Sequence, residues 1–331
     1  MSVRSVSFHA RNTPLQPADR LGGILGFKSG RLWIKRDDMT GLAGGGNKAR
    51  KLEYLVAAAQ DRGCDTLVTG GAAQSNHVRM TAAASAAHGL RCVAVLFGSA
   101  PGRAEGNLLL DELFGAEVRF AGRQPPAEAL ATALDALRAT GATPYEIPLG
   151  GSSPVGAFGY VNCAAEIDAG LAELGAPGMS AADALVVCAD GSGGTHAGLV
   201  AGFGDHRRVL GVNVGFGDLG AIVSNLAADT AGLAGLPLPV GELQLDDGQP
   251  EPYGQPTEAT REALWMAARA EGLVLDPVYT GRALAALIAR CRSGSLSPDQ
   301  TVVFLHTGGM PALFTDRYQP WFSVPAQRST Q

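Results

Sequence analysis

The chain has 331 residues, 46% of them hydrophobic and 17% charged, with a formal net charge of −5. That profile fits a soluble globular protein of about two domains, and without an extended Lys/Arg run it argues against nucleic-acid or anionic-membrane binding. The five cysteines (Cys64, Cys92, Cys163, Cys188, Cys291) form no CxxC or His/Cys cluster, so neither a disulfide framework nor a metal site is indicated. No apolar leader and no run of ~18 apolar residues is present, so a cytoplasmic protein is expected.

Taken in chain order, strand-like and helix-like segments alternate. The pattern predicts a strand at 32–36, a helix at 47–60, a short apolar strand at 66–69 and an alanine-rich helix at 75–88. It continues with a strand at 91–97, a helix at 103–114, a strand at 117–120, a helix from about 126 to 139 and a strand at 143–147. After a glycine break at Gly150-Gly151 come a helix at 155–174, a strand at 184–188, a helix at 194–203 and a strand at 209–214. Residues 235–254, rich in Pro, Gly and Asp, are expected to be irregular. A helix begins near Arg282 and the last strand covers 301–305. Alternating elements with continuous apolar strands predict an α/β protein whose parallel sheets are covered on both faces. Such sheets bind ligands at the carboxyl ends of their strands.

The glycine-rich stretches sit at those ends. Lys48 follows Gly44-Gly45-Gly46-Asn47 at a helix start, where a desolvated lysine becomes a Schiff-base nucleophile. Gly41 to Lys48 nearly matches a P-loop, but Asn47 intervenes and Ala49 replaces the magnesium-binding hydroxyl, which disfavours ATP. Gly191-Ser192-Gly193-Gly194-Thr195 follows an apolar strand and offers successive N–H groups with two hydroxyls to an anion. His196 breaks the dinucleotide pattern, and no acidic residue follows the next strand, so one phosphate fits better than a dinucleotide. Ser75 reads as an N-cap or as a carboxylate donor, and Asn76 as a partner for a phenolic oxygen. His77 reads equally as a polar helix residue. Tyr279 and Tyr253 read as packed aromatics or as substrate-facing groups. Thr307, after the last strand, is placed to meet a ring nitrogen.

The order of Lys35-Arg36-Asp37-Asp38, Gly45-Gly46-Asn47-Lys48, Gln74-Ser75-Asn76, the glycine loop and Asp276-Pro277-Val278-Tyr279 resembles the pyridoxal-phosphate enzymes of tryptophan synthase β-type fold. Within them it is most similar to the family of D-cysteine desulfhydrases and 1-aminocyclopropane-1-carboxylate (ACC) deaminases. The resemblance implies fold type II, with two parallel-sheet three-layer domains. A large cofactor domain would comprise residues 1–50 and 153–331, and a small inserted one residues 51–152. It also implies pyridoxal 5′-phosphate bound through Lys48, with Asn76 at its phenolic oxygen and Gly191 to Thr195 around its phosphate, in a homodimer. Catalytic roles fall to Lys48, Ser75 and Tyr279, and substrate contacts to Ser75, Asn76, His77, Tyr253 and Tyr279.

His77, Thr280 and Thr307 depart from the ACC deaminase pattern of Gln-Ser-Asn-Gln, Tyr-Glu-Gly and His-Leu-Gly-Gly. A threonine hydroxyl leaves the pyridine nitrogen closer to neutral than a carboxylate would. Those departures favour β-elimination from a small amino acid: D-cysteine to pyruvate, sulfide and ammonia. ACC deaminase is the alternative, with L-cysteate sulfo-lyase third. Outside this class stand a non-catalytic phosphate-ligand binding protein and a dehydrogenase using the glycine loop.

Overall fold

The computed structural model describes residues 3–8, 12–175, 180–215, 217–248, 251–255 and 257–322. In chain order its first elements are β1 (Leu15–Pro17), α1 (Asp19–Leu25), β2 (Leu32–Lys35), α2 (Lys48–Asp61), β3 (Thr66–Gly71), α3 (Asn76–Ala87), β4 (Arg91–Leu96) and α4 (Gly106–Leu113). There follow β5 (Glu117–Phe120), α5 (Pro126–Ala139), β6 (Pro144–Glu146), α6 (Pro154–Leu174), β7 (Leu185–Asp190), α7 (Gly194–Phe203) and β8 (Val209–Asn213). The last are α8 (Gly220–Ala234), β9 (Gln244–Asp246), α9 (Glu258–Glu271), α10 (Thr280–Arg292), β10 (Val302–Leu305) and α11 (Gln319–Phe322).

The strands form two sheets. A six-stranded sheet runs β1-β2-β10-β7-β8-β9, and a four-stranded sheet runs β5-β4-β3-β6. The smaller sheet is parallel throughout, and the larger is parallel except for β1, which pairs antiparallel with β2. That strand departs from the all-parallel expectation, and its position has a reason: it ends on Pro17, which has no N–H for a second neighbour and so belongs at a sheet edge. The other edge, β9, lies within the stretch expected to be irregular, of which residues 249–250 fall outside the described residues.

Helices cover both faces of each sheet because the strands are apolar on both sides. In β10, Val302 and Phe304 pack with Leu21 of α1, Leu264 of α9 and Leu287 of α10. Val303 and Leu305 point the other way, to Ile167 of α6, Leu199 of α7 and Val223 of α8. In the small sheet, Val68 and Val93 meet Leu134 and Leu137 of α5, while Leu67 packs with Leu52 and Val56 of α2 and Met80 of α3. Local signals set the helix starts. Ser153 accepts from the Gly156 amide ahead of Pro154, and Thr257 accepts from the Thr260 amide. The loops after β3, β7 and β10 all leave from carboxyl ends.

Candidate active site

A cavity of about 280 Å³ lies where those loops meet. Lys48, Ser75, Asn76, His77, Gly191 to Thr195, Tyr253, Tyr279 and Thr307 all line it, so every site residue read from the sequence comes to one place.

Lys48 opens α2. Desolvation in the cavity pushes its amine down to about 8, opposed by the Asp190 carboxylate and reinforced by the Arg79 guanidinium. Asn47 fixes the approach to it. The Asn47 side-chain amide donates to Thr195 Oγ1 (2.9 Å), and its backbone N–H donates to the Thr307 carbonyl (3.1 Å). The lysine loop is thereby tied to both other loops. Close approach of the loop after β10 requires Gly308, at φ +85°, because a Cβ there would lie 2.8 Å from Gly46 Cα.

The glycine loop is a cradle at the start of α7. Asp190 Oδ1 accepts from the Gly193 amide (3.0 Å), and Asp190 Oδ2 pairs with His196 Nδ1 (2.9 Å). Ser152 Oγ accepts from the Gly194 amide (3.1 Å) and meets Ser192 Oγ at 2.8 Å. Lys51, one helical turn on from Lys48, is buried with its Nζ 3.2 Å from the Gly150 carbonyl. Burial and the charge of Lys48 push its amine well below the ordinary lysine value, against Asp190 and Cys188. A Cβ on Gly194 would lie 2.4 Å from Ser152 Oγ and 2.7 Å from Lys51 Nζ. Two desolvated amines beside a glycine cradle, with hydroxyls around it, are a donor set for a multiply charged anion. A phosphorylated aldehyde fits that donor set, the cradle offering N–H and hydroxyl donors to its phosphate and Lys48 an amine to its carbonyl.

On the facing wall, Ser75 caps α3, its hydroxyl accepting from the Val78 amide at 3.3 Å. Its own proton stays available to a ligand, so the capping and ligand-binding readings coexist. Asn76 Oδ1 accepts from Arg79 (2.9 Å) and Asn107 (3.1 Å). His77 Nε2 lies 2.8 Å from Thr69 Oγ1, whose single proton goes to the Ile147 carbonyl (2.9 Å). Nε2 therefore carries the imidazole proton and donates to Thr69. Burial, with Lys48 and Lys51 adding to it, holds His77 well below the usual histidine range, so the ring is neutral. The hydroxyls of Tyr253 and Tyr279 pair at 2.5 Å. Burial raises both phenols, so both are protonated at neutral pH. Asp276 holds this end of α10 by accepting from the amides of Val278, Tyr279 and Thr280 and from the Thr280 hydroxyl.

Sequence reading missed Lys51, Asp190 and Arg79. Spacing could have found two of them: Lys51 and Arg79 each lie three positions beyond a site residue on a helix, hence on its face. Asp190 is the last residue of β7, directly before the glycine loop, where the strand runs beyond the expected residue 188.

This constellation on two parallel sheets defines a pyridoxal-phosphate enzyme. The chain belongs to the family described as "Pyridoxal-phosphate dependent enzyme", whose model matches residues 6–308. It is similar to a D-cysteine desulfhydrase of Salmonella choleraesuis (strain SC-B67), 43% identical over 321 residues that cover 93% of this chain and 94% of the relative. A D-cysteine desulfhydrase of Yersinia enterocolitica (serotype O:8 / biotype 1B, strain NCTC 13174 / 8081) is 42% identical over 320 residues, covering 93% and 94%. Among solved structures, an ACC deaminase homologue superposes with a TM-score of 0.85 at 33% identity, covering 97% of each chain. The processed form of threonine deaminase isoform 2 from Solanum lycopersicum shares the fold, with a TM-score of 0.62 at 17% identity over 90% of this chain and 79% of that one. Among the described residues no helix is long and apolar enough to cross a membrane.

Proposed function

We propose that this enzyme is a β-eliminating lyase that converts D-cysteine to pyruvate, sulfide and ammonia. The observation that carries the reading is Lys48: an amine brought down to about 8, inside a cavity that also holds an anion cradle and a capped helix start. The two desulfhydrase relatives support the choice of substrate.

When bound, pyridoxal phosphate supplies an electron sink for the pair left as the substrate α-proton departs. Lys48 would hold the cofactor at rest, and its Nζ would be the base that takes the substrate α-proton. Ser75 donates its hydroxyl proton to the substrate carboxylate, which the N-terminus of α3 also attracts. Asn76 would meet the cofactor phenolic oxygen, and Gly191 to Thr195 with Lys51 would hold the phosphate. Thr307, on the same cavity, would meet the ring nitrogen. The Tyr253–Tyr279 pair lines the side from which the β-substituent leaves, and the His77 ring closes the wall beside it. In the same reading, residues 1–50 and 153–331 make the cofactor domain and 51–152 the inserted one. The protein works as a homodimer in the cytoplasm; five free cysteines support a reducing compartment.

ACC ring opening is disfavoured by Thr280, which stands where ACC deaminases carry a glutamate. Its hydroxyl is spent on Asp276 Oδ1 at 2.7 Å. The test is product release from cofactor-loaded enzyme given D-cysteine, L-cysteine, L-cysteate or ACC. Pyruvate with sulfide from D-cysteine is expected, and full turnover by Lys48→Ala would overturn the mechanism. Sulfite from L-cysteate would move the assignment to a sulfo-lyase, and 2-oxobutanoate from ACC to a deaminase. Sedimentation at assay concentration tests the dimer.

A further inference from the structure

The reading above places the cofactor against Asn76 and Lys48. Resting on it, we propose that Arg79 is a positioning residue that locks the Asn76 amide with its NH2 toward the cavity and ties it to the loop bearing Lys48.

Arg79 is fully buried in α3, and its guanidinium joins three segments. Nη1 donates to Asn76 Oδ1 (2.9 Å) and to Asn107 Oδ1 (2.6 Å), while Nη2 donates to the Gly45 carbonyl (3.1 Å). Only an oxygen can face a guanidinium, so both amide orientations are fixed by chemistry. Asn107 must then turn its Nδ2 outward, where it donates to the Gln74 carbonyl (2.9 Å) and to Asn76 Oδ1 (3.1 Å). Asn76 Oδ1 thus receives two hydrogen bonds, and what Asn76 has left for the cavity is a donor. A donor suits an oxygen that carries negative charge, and it repels one that must itself donate.

The charge acts in the same sense. Asp111 and Asp276 are the acidic groups that act on Arg79, and burial pushes the Asp111 carboxyl up to about 8 against the pull of Arg79, its oxygens making no hydrogen bond among the described residues. The cation is therefore not neutralised by contact, and it sits one amide away from the phenolic oxygen's place. It also lowers the proton affinity of Lys48. Lys51 on α2, Asp190 at the end of β7 and His77 on α3 also interact with the charge of Lys48, and the Tyr253–Tyr279 pair lines the same cavity. Substitutions at Arg79 and Asn107 leave all of these side chains in place.

The test follows the visible absorbance of the holoenzyme as a function of pH, together with cofactor retention on dialysis. Wild type must show the band and Lys48→Ala must lack it; otherwise the site reading itself fails, separately from Arg79. In Arg79→Met the midpoint of the titration is expected to rise by about one pH unit, with retention weakened at least about tenfold. Arg79→Lys keeps the charge but not the fork, so the midpoint should stay near wild type while retention falls. Asn107→Ala should weaken retention with no midpoint shift. A folded Arg79→Met with an unmoved midpoint overturns the proposal. If Arg79→Met does not fold, wild-type retention in both Arg79→Lys and Asn107→Ala overturns it.

Discussion

Replacing Arg50 by methionine is expected to remove about 3–5 kcal/mol of folding free energy, the cost of stranding a buried charge. Arg50, two residues beyond Lys48, is 2% exposed. It donates to Asp37 Oδ2 (2.9 Å) and Oδ1 (3.0 Å), Glu166 Oε1 (2.7 Å) and Oε2 (2.8 Å), and Thr13 Oγ1 (3.0 Å). With Lys35, which contacts Glu166 at 2.7 Å, it balances two carboxylates with two cations. Without Arg50, Asp37 keeps only the hydroxyls of Tyr160 (2.6 Å) and Thr13 (2.8 Å). Burial alone would push the Asp37 carboxyl up; Arg50, the Tyr160 hydroxyl and Lys35 more than offset it and hold the group below its ordinary 3.8. In the wild type this group therefore adds stability above its unfolded value, lost as pH falls through the lower folded value. In Arg50→Met the sign reverses: burial is less opposed, the carboxyl rises, and its penalty at neutral pH shrinks on acidification. Urea unfolding at pH 7 and pH 5 measures both, and the deficit of the variant should be smaller at pH 5. Adding Asp37→Leu should restore part of the loss, since an apolar pair tolerates burial that a lone carboxylate does not. A deficit below about 1 kcal/mol at pH 7, with no recovery in the double variant, refutes the reasoning.

In cofactor-stripped protein, labelling of Lys48 by an amine reagent should rise about tenfold per pH unit and level off above about 8, because the folded value is lowered from 10.5 to about 8; a midpoint near 10.5 contradicts the desolvated site. Gly194→Ala puts a methyl 2.4 Å from Ser152 Oγ and should weaken cofactor binding about tenfold or more by equilibrium dialysis, with little change in Tm. Tyr279→Phe removes the 2.5 Å partner of Tyr253 and should lower kcat about tenfold while cofactor affinity stays at wild type; an equal fall in both places Tyr279 at the cofactor instead.

The helix boundaries were legible where local chemistry decides them. Residues 126–139 and 194–203 were read as the structure has them, because Pro126 and Gly204 mark a start and a stop. The edges of the larger sheet were not legible, whereas those of the smaller one, β5 and β6, were read as strands at 117–120 and 143–147. β1 and β9 are three-residue strands whose pairing depends on neighbours far along the chain, and a run that short carries no period. The site followed the same division. Residues marked by glycine or a helix cap were read as lining the cavity and do line it, while Asp190 at the end of β7 was passed over. Arg79 and Lys51 read as ordinary charged helix residues, and their meaning comes from complete burial, which is a tertiary property. Arg50 was invisible for the same reason.

That division has an electrostatic cause. Lys48, Lys51 and Arg79 stand around or behind one cavity, and Asp190 is the carboxylate among its lining residues. Gathering cations in a desolvated space is unfavourable, and the fold relieves it by lowering the proton affinity of the two lysines rather than by adding acids. Under the proposed function, the lowered proton affinity of Lys48 would favour attack on an aldehyde, and a dianionic phosphate would offset the charge on the others. Cofactor recruitment and lysine activation thus draw on the same imbalance. A carboxylate added beside Lys51 to stabilise the empty protein would compete with the phosphate and return Lys48 toward its ordinary proton affinity.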